Sequence, residues 1–374
     1  MSVANTRLIL VGGFLGAGKT TLLQQAAVRL AERGLRVSLL ANDQAANLVD
    51  TAVLQETGAA VDEVAGGCFC CRFTDMVAAI DRLKRRAQPD YIIAEPVGSC
   101  TDISATVLQP LKQLHGQQIS LSLYSVLIDV KQVRVLLRLH QQQAQGPSAG
   151  FPDDVLYIYR KQVEEADLIV LNKADLATAA ELDELRLALA SQFPGTSITT
   201  VSALTGDGVD QWLDLLEQLG VVGGKTTKVD YDTYAAGEAA LGWLNASANL
   251  HARDDVDWKA LVVELLELIR ATLKAESAEI AHLKVHLTSS GDRLVGNVTS
   301  NEGPISVRGN IDTTRRDVAM LINARVHVQP DRLRTVVEES LQRAAGDRLE
   351  TTFSDLRSFP PGRPQPTYRY EAVV

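Results

Sequence analysis

The stretch Gly12 to Thr21, GGFLGAGKTT, decides how the chain is read. It fits G-x-x-x-x-G-K-[ST] through Gly13, Gly18, Lys19 and Thr20, and it follows the apolar run Leu8–Val11. Strand, glycine loop and helix in that order form a phosphate-binding loop. Gly13, Gly16 and Gly18 allow backbone conformations closed to other residues, so successive N–H groups, with those of Ala17 and Thr21, can point at an anion. Lys19 adds a mobile positive charge, and the Thr20 hydroxyl is the expected Mg²⁺ ligand.

Downstream motifs name the base. Asn172-Lys173-Ala174-Asp175 closes the apolar run Leu168–Leu171 in an N-K-x-D arrangement. A carboxylate placed like Asp175 accepts from N1–H and the exocyclic amine of guanine; adenine offers no such donor pair. Lys173 can lie along the base plane while Asn172 ties loops together. Ser202-Ala203-Leu204 follows the next strand, where a backbone N–H can reach the guanine oxygen. GTP is therefore expected. Tyr91–Ala94 leads into Glu95-Pro96-Val97-Gly98, an E-x-x-G turn. Its acid is expected beside Mg²⁺ and its glycine N–H beside the γ-phosphate. Lys19, Thr20 and Glu95 form the candidate catalytic set, joined by Asp43, which could ligate Mg²⁺ or orient water, or be a solvated loop aspartate.

Working outward, the runs Arg7–Val11, Val37–Leu40, Tyr91–Ala94, Leu121–Ile128, Leu168–Leu171 and Ile198–Val201 alternate with helical patterns. This predicts an α/β fold, a P-loop NTPase domain with a mainly parallel sheet at 1–220. A polar stretch at 141–150 reads as a surface loop. Glycine-rich 221–230 is the expected linker. Residues 231–346 read as a smaller α+β C-terminal domain: a long strand at 234–250, a helix capped by Asp257, strands at 280–288, 294–298 and 319–328, and a helix from Pro330. The proline-rich tail, 347–374, reads as extended or disordered.

The 374 residues carry a net charge of −9 and no long basic run, which argues against a nucleic-acid partner. The absence of an 18-residue apolar stretch or a signal-peptide pattern leads to the expectation of a cytoplasmic protein without membrane attachment. Three of four cysteines, Cys68, Cys70 and Cys71, fall in GGCFCC. Three thiols within four residues suit Zn²⁺, Cu(I) or Co²⁺, and one fewer than a closed tetrahedral site suits transfer. Cys100, two residues past Gly98, either joins that cluster in one nucleotide state or is a small buried thiol.

Phosphate loop, G-C-x-C-C, E-x-x-G, N-K-x-D and S-A-L in this order resemble the CobW-type GTPases, kin of the hydrogenase and urease nickel-insertion GTPases. The resemblance covers about residues 5–220. It implies a GTP-hydrolysing metallochaperone, with Cys68, Cys70 and Cys71 holding zinc or cobalt and a client metalloenzyme or cofactor-dependent enzyme as partner. It also makes a nucleotide-dependent homodimer an expectation. The alternative is a nucleotide-gated switch for a cofactor enzyme, such as a corrinoid enzyme, with structural cysteines. Many relatives read E-N-E-F-G where this chain reads Ala41-Asn42-Asp43-Gln44. The second domain has no histidine-rich tract: His282 and His286 are about 13 Å apart on one strand face. With His251 and His327 they read as surface residues. No arginine finger in cis is recognisable.

Overall fold

The computed structural model describes residues 6–45, 48–141, 151–217 and 222–374. The expected surface loop lies outside the described residues from 142 to 150, as do residues 218–221, where the expected linker begins.

The apolar runs become strands β1 (Thr6–Gly13), β2 (Val37–Asp43), β3 (Ala60–Ala65), β4 (Tyr91–Glu95), β5 (Ile119–Leu121), β6 (Ser125–Asp129), β7 (Leu168–Asn172) and β8 (Ser197–Thr200). Helices α1 (Lys19–Glu32), α2 (Val49–Gln55), α3 (Phe73–Ala87), α4 (Gln109–His115), α5 (Val130–Gln141), α6 (Asp153–Glu164), α7 (Ala179–Gln192) and α8 (Val209–Glu217) are interleaved with them. The strands pair in the order β3-β2-β4-β1-β6-β7-β8, all parallel, with β5 also beside β1. Successive side chains of a strand point to opposite faces. Leu8 and Leu10 accordingly join one core while Ile9 and Val11 join the other, so both faces of the sheet are covered. Two details depart from the sequence reading. The run 121–128 is two strands, broken where Ser122 N–H bonds the Leu8 carbonyl. Edge strand β3, AVDEVA, buries only Val64 and lacks the apolar run that marks the others.

The second sheet is antiparallel. After helix α9 (Tyr231–Ala239) come β9 (Gly242–Ala252), α10 (Trp258–Ala275), β10 (Ile280–Ser289), β11 (Asp292–Val298), β12 (Ser306–Asn310), β13 (Asp317–Val326), α11 (Pro330–Ala345) and β14 (Leu349–Phe359). The strand order is β12-β11-β10-β13-β9-β14. Asp257 caps α10 by accepting from Ala260 N–H. One sheet face, with Leu283, Val285, Leu287, Ile322 and Ala324, packs into a core with α10 and α11. The other face presents His282, Lys284, His286, Asn323 and Arg325 to the first domain, where they meet Asp43, Val49, Asp50 and Glu56.

Two expectations are corrected here, and a third is narrowed. The long strand at 234–250 begins only at Gly242; Asp230 caps α9 instead, and the small residues of α9 lie so close to α6 that a Cβ on Gly237 would come within 2.4 Å of the Asp154 carbonyl. Of the two states expected for the tail, its start takes the extended one, as a strand of the second sheet and not a free segment. The alternating 349–359 segment pairs with β9 as β14, because the prolines, which cannot donate to a ladder, begin only at Pro360. His282 and His286 are buried, 8% and 4% exposed, because strand alternation turns them onto the face that the first domain covers.

Candidate functional site

The glycine loop runs from β1 into α1. Gly13 (φ 130°) and Gly18 (φ 97°) adopt left-handed conformations, and added Cβ atoms would fall 2.4 Å from the Leu127 carbonyl and 2.5 Å from Asn172 Nδ2. Both positions therefore require glycine. Lys19 is buried; its Nζ donates to the Gly13 carbonyl at 2.9 Å and lies 3.7 Å from Glu95 Oε1. Burial pushes the Lys19 pKa down, with Glu95 opposing.

Thr20, next on α1, donates through Oγ1 to Asp50 Oδ1 at 2.6 Å and lies 3.3 Å from Glu95 Oε1. Glu95, at the end of β4, is pushed up to about 7 by burial, with Lys19 opposing. Burial would raise Asp50 as well, but the Lys284 ammonium beside it holds it well below the usual carboxylate range. Thr20, Asp50 and Glu95 thus converge on one point with hard oxygen donors, a set that fits Mg²⁺. Asp43 lines the same pocket and is paired with the second domain: both its oxygens accept from Arg325 Nη2, at 3.0 and 2.9 Å. Arg325 reaches it because β13 faces the end of β2 across the domain contact. Gly98 packs against the loop itself, since a Cβ there would lie 2.7 Å from Leu15 Cδ2.

The N-K-x-D motif expected to read the base meets two other loops. Asn172 Nδ2 donates to the Ala17 carbonyl at 2.7 Å, while its Oδ1 accepts from Ala203 N–H at 3.0 Å. Asn172 is therefore the tie between phosphate and base loops. Lys173, with φ 64°, pairs with Asp129 Oδ2 at 2.5 Å. Ser202 Oγ donates to Asp175 Oδ1 at 2.6 Å, holding the carboxylate toward a pocket that Gly16, Thr21, Lys173 and Leu204 line.

The three cysteine sulfurs meet in the turn between β3 and α3. Sγ separations are 2.8 Å for Cys68–Cys70, 3.3 Å for Cys68–Cys71 and 3.7 Å for Cys70–Cys71. Cys100 lies at the edge of the cluster, its Sγ 3.8 Å from that of Cys70. Sulfurs bound at about 2.3 Å to one zinc ion are roughly 3.8 Å apart in a tetrahedron, so the close set Cys68, Cys70 and Cys71 fits a soft divalent ion. Hydrogen bonds from Cys68 and Cys70 draw the Cys100 thiol down to about 6, whereas the hydrogen bond with Cys68 pushes Cys71 up to about 11. Asn42, from the end of β2, pins the turn: Nδ2 donates to the Val64 and Gly67 carbonyls at 2.8 and 2.7 Å, and Oδ1 accepts from Phe69 N–H at 2.9 Å. The tail lies across it. Thr367 N–H bonds the Cys70 carbonyl at 2.9 Å, and Gln365 N–H approaches Cys71 Sγ at 3.2 Å.

A family model described as CobW/HypB/UreG, nucleotide-binding domain, matches residues 7–199, more than half of the chain. The chain belongs to this family. The zinc chaperone YeiR of Escherichia coli is 30% identical over 176 residues, 46% of this chain and 48% of that one. The zinc chaperone CobW of Pseudomonas aeruginosa is 27% identical over 228 residues, 55% and 58% of the two chains. The chain thus spans about half the length of these curated relatives. Among solved structures, Zn(II)-bound YjiA GTPase from E. coli matches at 16% identity and TM-score 0.37, over 90% of this chain and 98% of that one. HypB from Archaeoglobus fulgidus matches at 18% and 0.39, over 57% and 89%.

Sequence reasoning missed Asp50, Asn42 as a positioning residue, and the C-terminal group His282, Lys284 and Arg325. A signal for the last was present. Ala281-His282-Leu283-Lys284-Val285-His286-Leu287 alternates strictly, which marks a strand with one apolar and one polar face. Three polar residues capable of carrying positive charge on a single face point to a surface that meets anions.

Proposed function

We propose that the protein binds and hydrolyses Mg²⁺–GTP and uses the nucleotide state to control a divalent ion, zinc or cobalt, held by Cys68, Cys70 and Cys71 for delivery to a client metalloenzyme. Lys19 and the loop amides of Gly13 to Thr21 stabilise phosphoryl charge. Thr20, Glu95 and Asp50 would hold Mg²⁺, which supplies charge neutralisation at the phosphates. Asp175 selects guanine, with Asn172, Lys173, Ser202 and Ala203 shaping its pocket. The relatives described as zinc chaperones support zinc as cargo.

The observation that carries this reading is the position of Cys100. It sits two residues beyond Gly98, on the turn that abuts the phosphate loop at Leu15, and its sulfur is 3.8 Å from that of Cys70. Movement of this turn with the γ-phosphate would bring Cys100 onto the three-thiolate cargo site or withdraw it. A closed site favours retention and an open one favours transfer.

The test is Zn²⁺ and Co²⁺ affinity by competition titration on reduced protein, with Mg²⁺ and either GDP or a non-hydrolysable GTP analogue. A difference of at least tenfold, about 1.4 kcal/mol of coupling, is expected. It should collapse in Cys100→Ser. Equal affinities in the two states of the native chain would overturn the coupling.

A further inference from the structure

The polar face of the C-terminal sheet forms the roof of the phosphate pocket. Gly16, Gly18, Lys19, Thr20, Glu95 and Gly98 line its floor, and His282, Lys284, Asn297, Thr299, Asn323 and Arg325 line its roof. The fit is close: a Cβ on Gly16 would lie 3.1 Å from the Ala281 carbonyl and from Thr299 Cβ. Side chains of β10 at this point are therefore presented directly to whatever the glycine loop holds.

Among the described residues lining this pocket, Lys19, Lys284 and Arg325 carry fixed positive charge, with His282 as a titratable neighbour. Lys19 belongs to the loop. Arg325 is spent on both oxygens of Asp43 and on the Leu244 and Ala324 carbonyls, and it stacks 4.1 Å over the Trp243 ring. His282 is held neutral by burial. Lys284 differs from these. Its Nζ contacts Asp50 Oδ1 and lies 3.4 Å from Thr20 Oγ1, the hydroxyl at which magnesium and phosphate are expected. Its ion-pair partner among the described residues, Asp50, shares the same donor set.

We propose that Lys284 is a catalytic residue for GTP hydrolysis, supplied in cis by the C-terminal domain to contact the γ-phosphate. This rests on the reading of the pocket as a Mg²⁺–GTP site. In the reaction a water oxygen forms a bond to the γ-phosphorus, and the bond from that phosphorus to the β–γ bridging oxygen breaks. The electron pair stays on the β-phosphate of GDP, and the water proton leaves with inorganic phosphate or to solvent. Negative charge accumulates on the oxygens around the transferred phosphorus. An ammonium fixed over them stabilises that charge without reorganisation, as a trans-acting arginine does in related reactions. Because the lysine rides on β10, the contact also ties the C-terminal domain to the presence of a γ-phosphate: GDP leaves Lys284 on Asp50, and GTP draws it away.

The experiment compares native protein with Lys284→Ala, Lys284→Gln and Lys284→Arg. It measures steady-state GTP hydrolysis together with the affinities for GDP and for a non-hydrolysable GTP analogue in Mg²⁺. For Ala and Gln, kcat should fall at least about a hundredfold, analogue affinity at least tenfold, and GDP affinity less than twofold; Arg should recover most of the GTP-over-GDP preference. Native rates with an unchanged preference in the Ala and Gln variants would overturn the proposal, as would faster hydrolysis, which would make Lys284 a plug in the magnesium seat. Equal loss of GDP and analogue binding would assign it to domain packing and also overturn it. If the native chain binds the analogue but hydrolyses no GTP, the hydrolytic reading fails; the analogue-to-GDP ratio still decides whether Lys284 touches the γ-phosphate.

Discussion

Replacing Asn42 with alanine should separate the thiolate site from the nucleotide site. The amide makes three hydrogen bonds to the cysteine turn, at 2.8, 2.7 and 2.9 Å, and the side chain is buried. A hydrogen bond contributes about 1 kcal/mol net, and a buried partner left unpaired costs about 1–3 kcal/mol. Three broken bonds, partly healed by water, amount to roughly 3 kcal/mol. If the turn loses its order without metal, that sum must be recovered on binding, and about 3 kcal/mol corresponds to roughly two decades of affinity. Asn42→Ala should therefore weaken Zn²⁺ binding ten- to a hundredfold in competition titrations. GDP affinity should stay within twofold, because the Asn42 side chain, although it borders the phosphate pocket, makes its hydrogen bonds among the described residues to Val64, Gly67 and Phe69. Native Zn²⁺ affinity in Asn42→Ala would refute the idea that this amide preorganises the thiols; parallel loss of GDP binding would show the two sites to be one folding unit.

Two other outcomes are expected. Asp175→Asn should lower GTP affinity by two or more decades and restore binding to xanthosine triphosphate, whose C2 oxygen accepts from the new amide; competition between the two nucleotides reads this directly. Glu165 is fully buried, and burial, with Asp102 adding to it, pushes its carboxyl up to about 8. Its folded pKa lies above the unfolded value, so the stability it contributes is complete below about pH 4.5 and is lost as pH rises through 8. Glu165→Gln should remove that slope. Denaturant midpoints measured from pH 5 to 8 should show the variant gaining on the native chain by a few kcal/mol, and parallel curves would contradict it.

Much of the candidate nucleotide site could be proposed from the sequence because its motifs are local. Gly13 to Thr21 must be contiguous to wrap a phosphate, and Asn172 to Asp175 must be contiguous to present amide and acid on one turn. Asp50 was invisible for the opposite reason. Its role depends on α2 being carried back over α1, and nothing around it distinguishes it from a helix N-terminal acid. Asp43 could be placed near the pocket from the motif after the second strand, but its partner, Arg325, could not be read because it is 282 residues away. The helix at Tyr231–Ala239 lacks helical amphipathicity, being packed into the first domain around Tyr234 and Gly237, so periodicity could not reveal it. Lys284 was legible as a strand residue but not as a site residue, since the face it occupies acquires meaning only when two domains meet.

The tail across the cysteine turn has a consequence for synthesis. Gln365 and Cys71 are separated by 294 positions. At roughly 5–20 residues per second, about 15–60 s pass between translation of the thiols and translation of the segment that shelters them. During that interval the β-sheet around the phosphate loop can form while the sulfurs stand open on a nascent chain. First metallation, or first oxidation, can therefore precede the completion of the fold, and the ion captured then would be enclosed by residues that arrive after it.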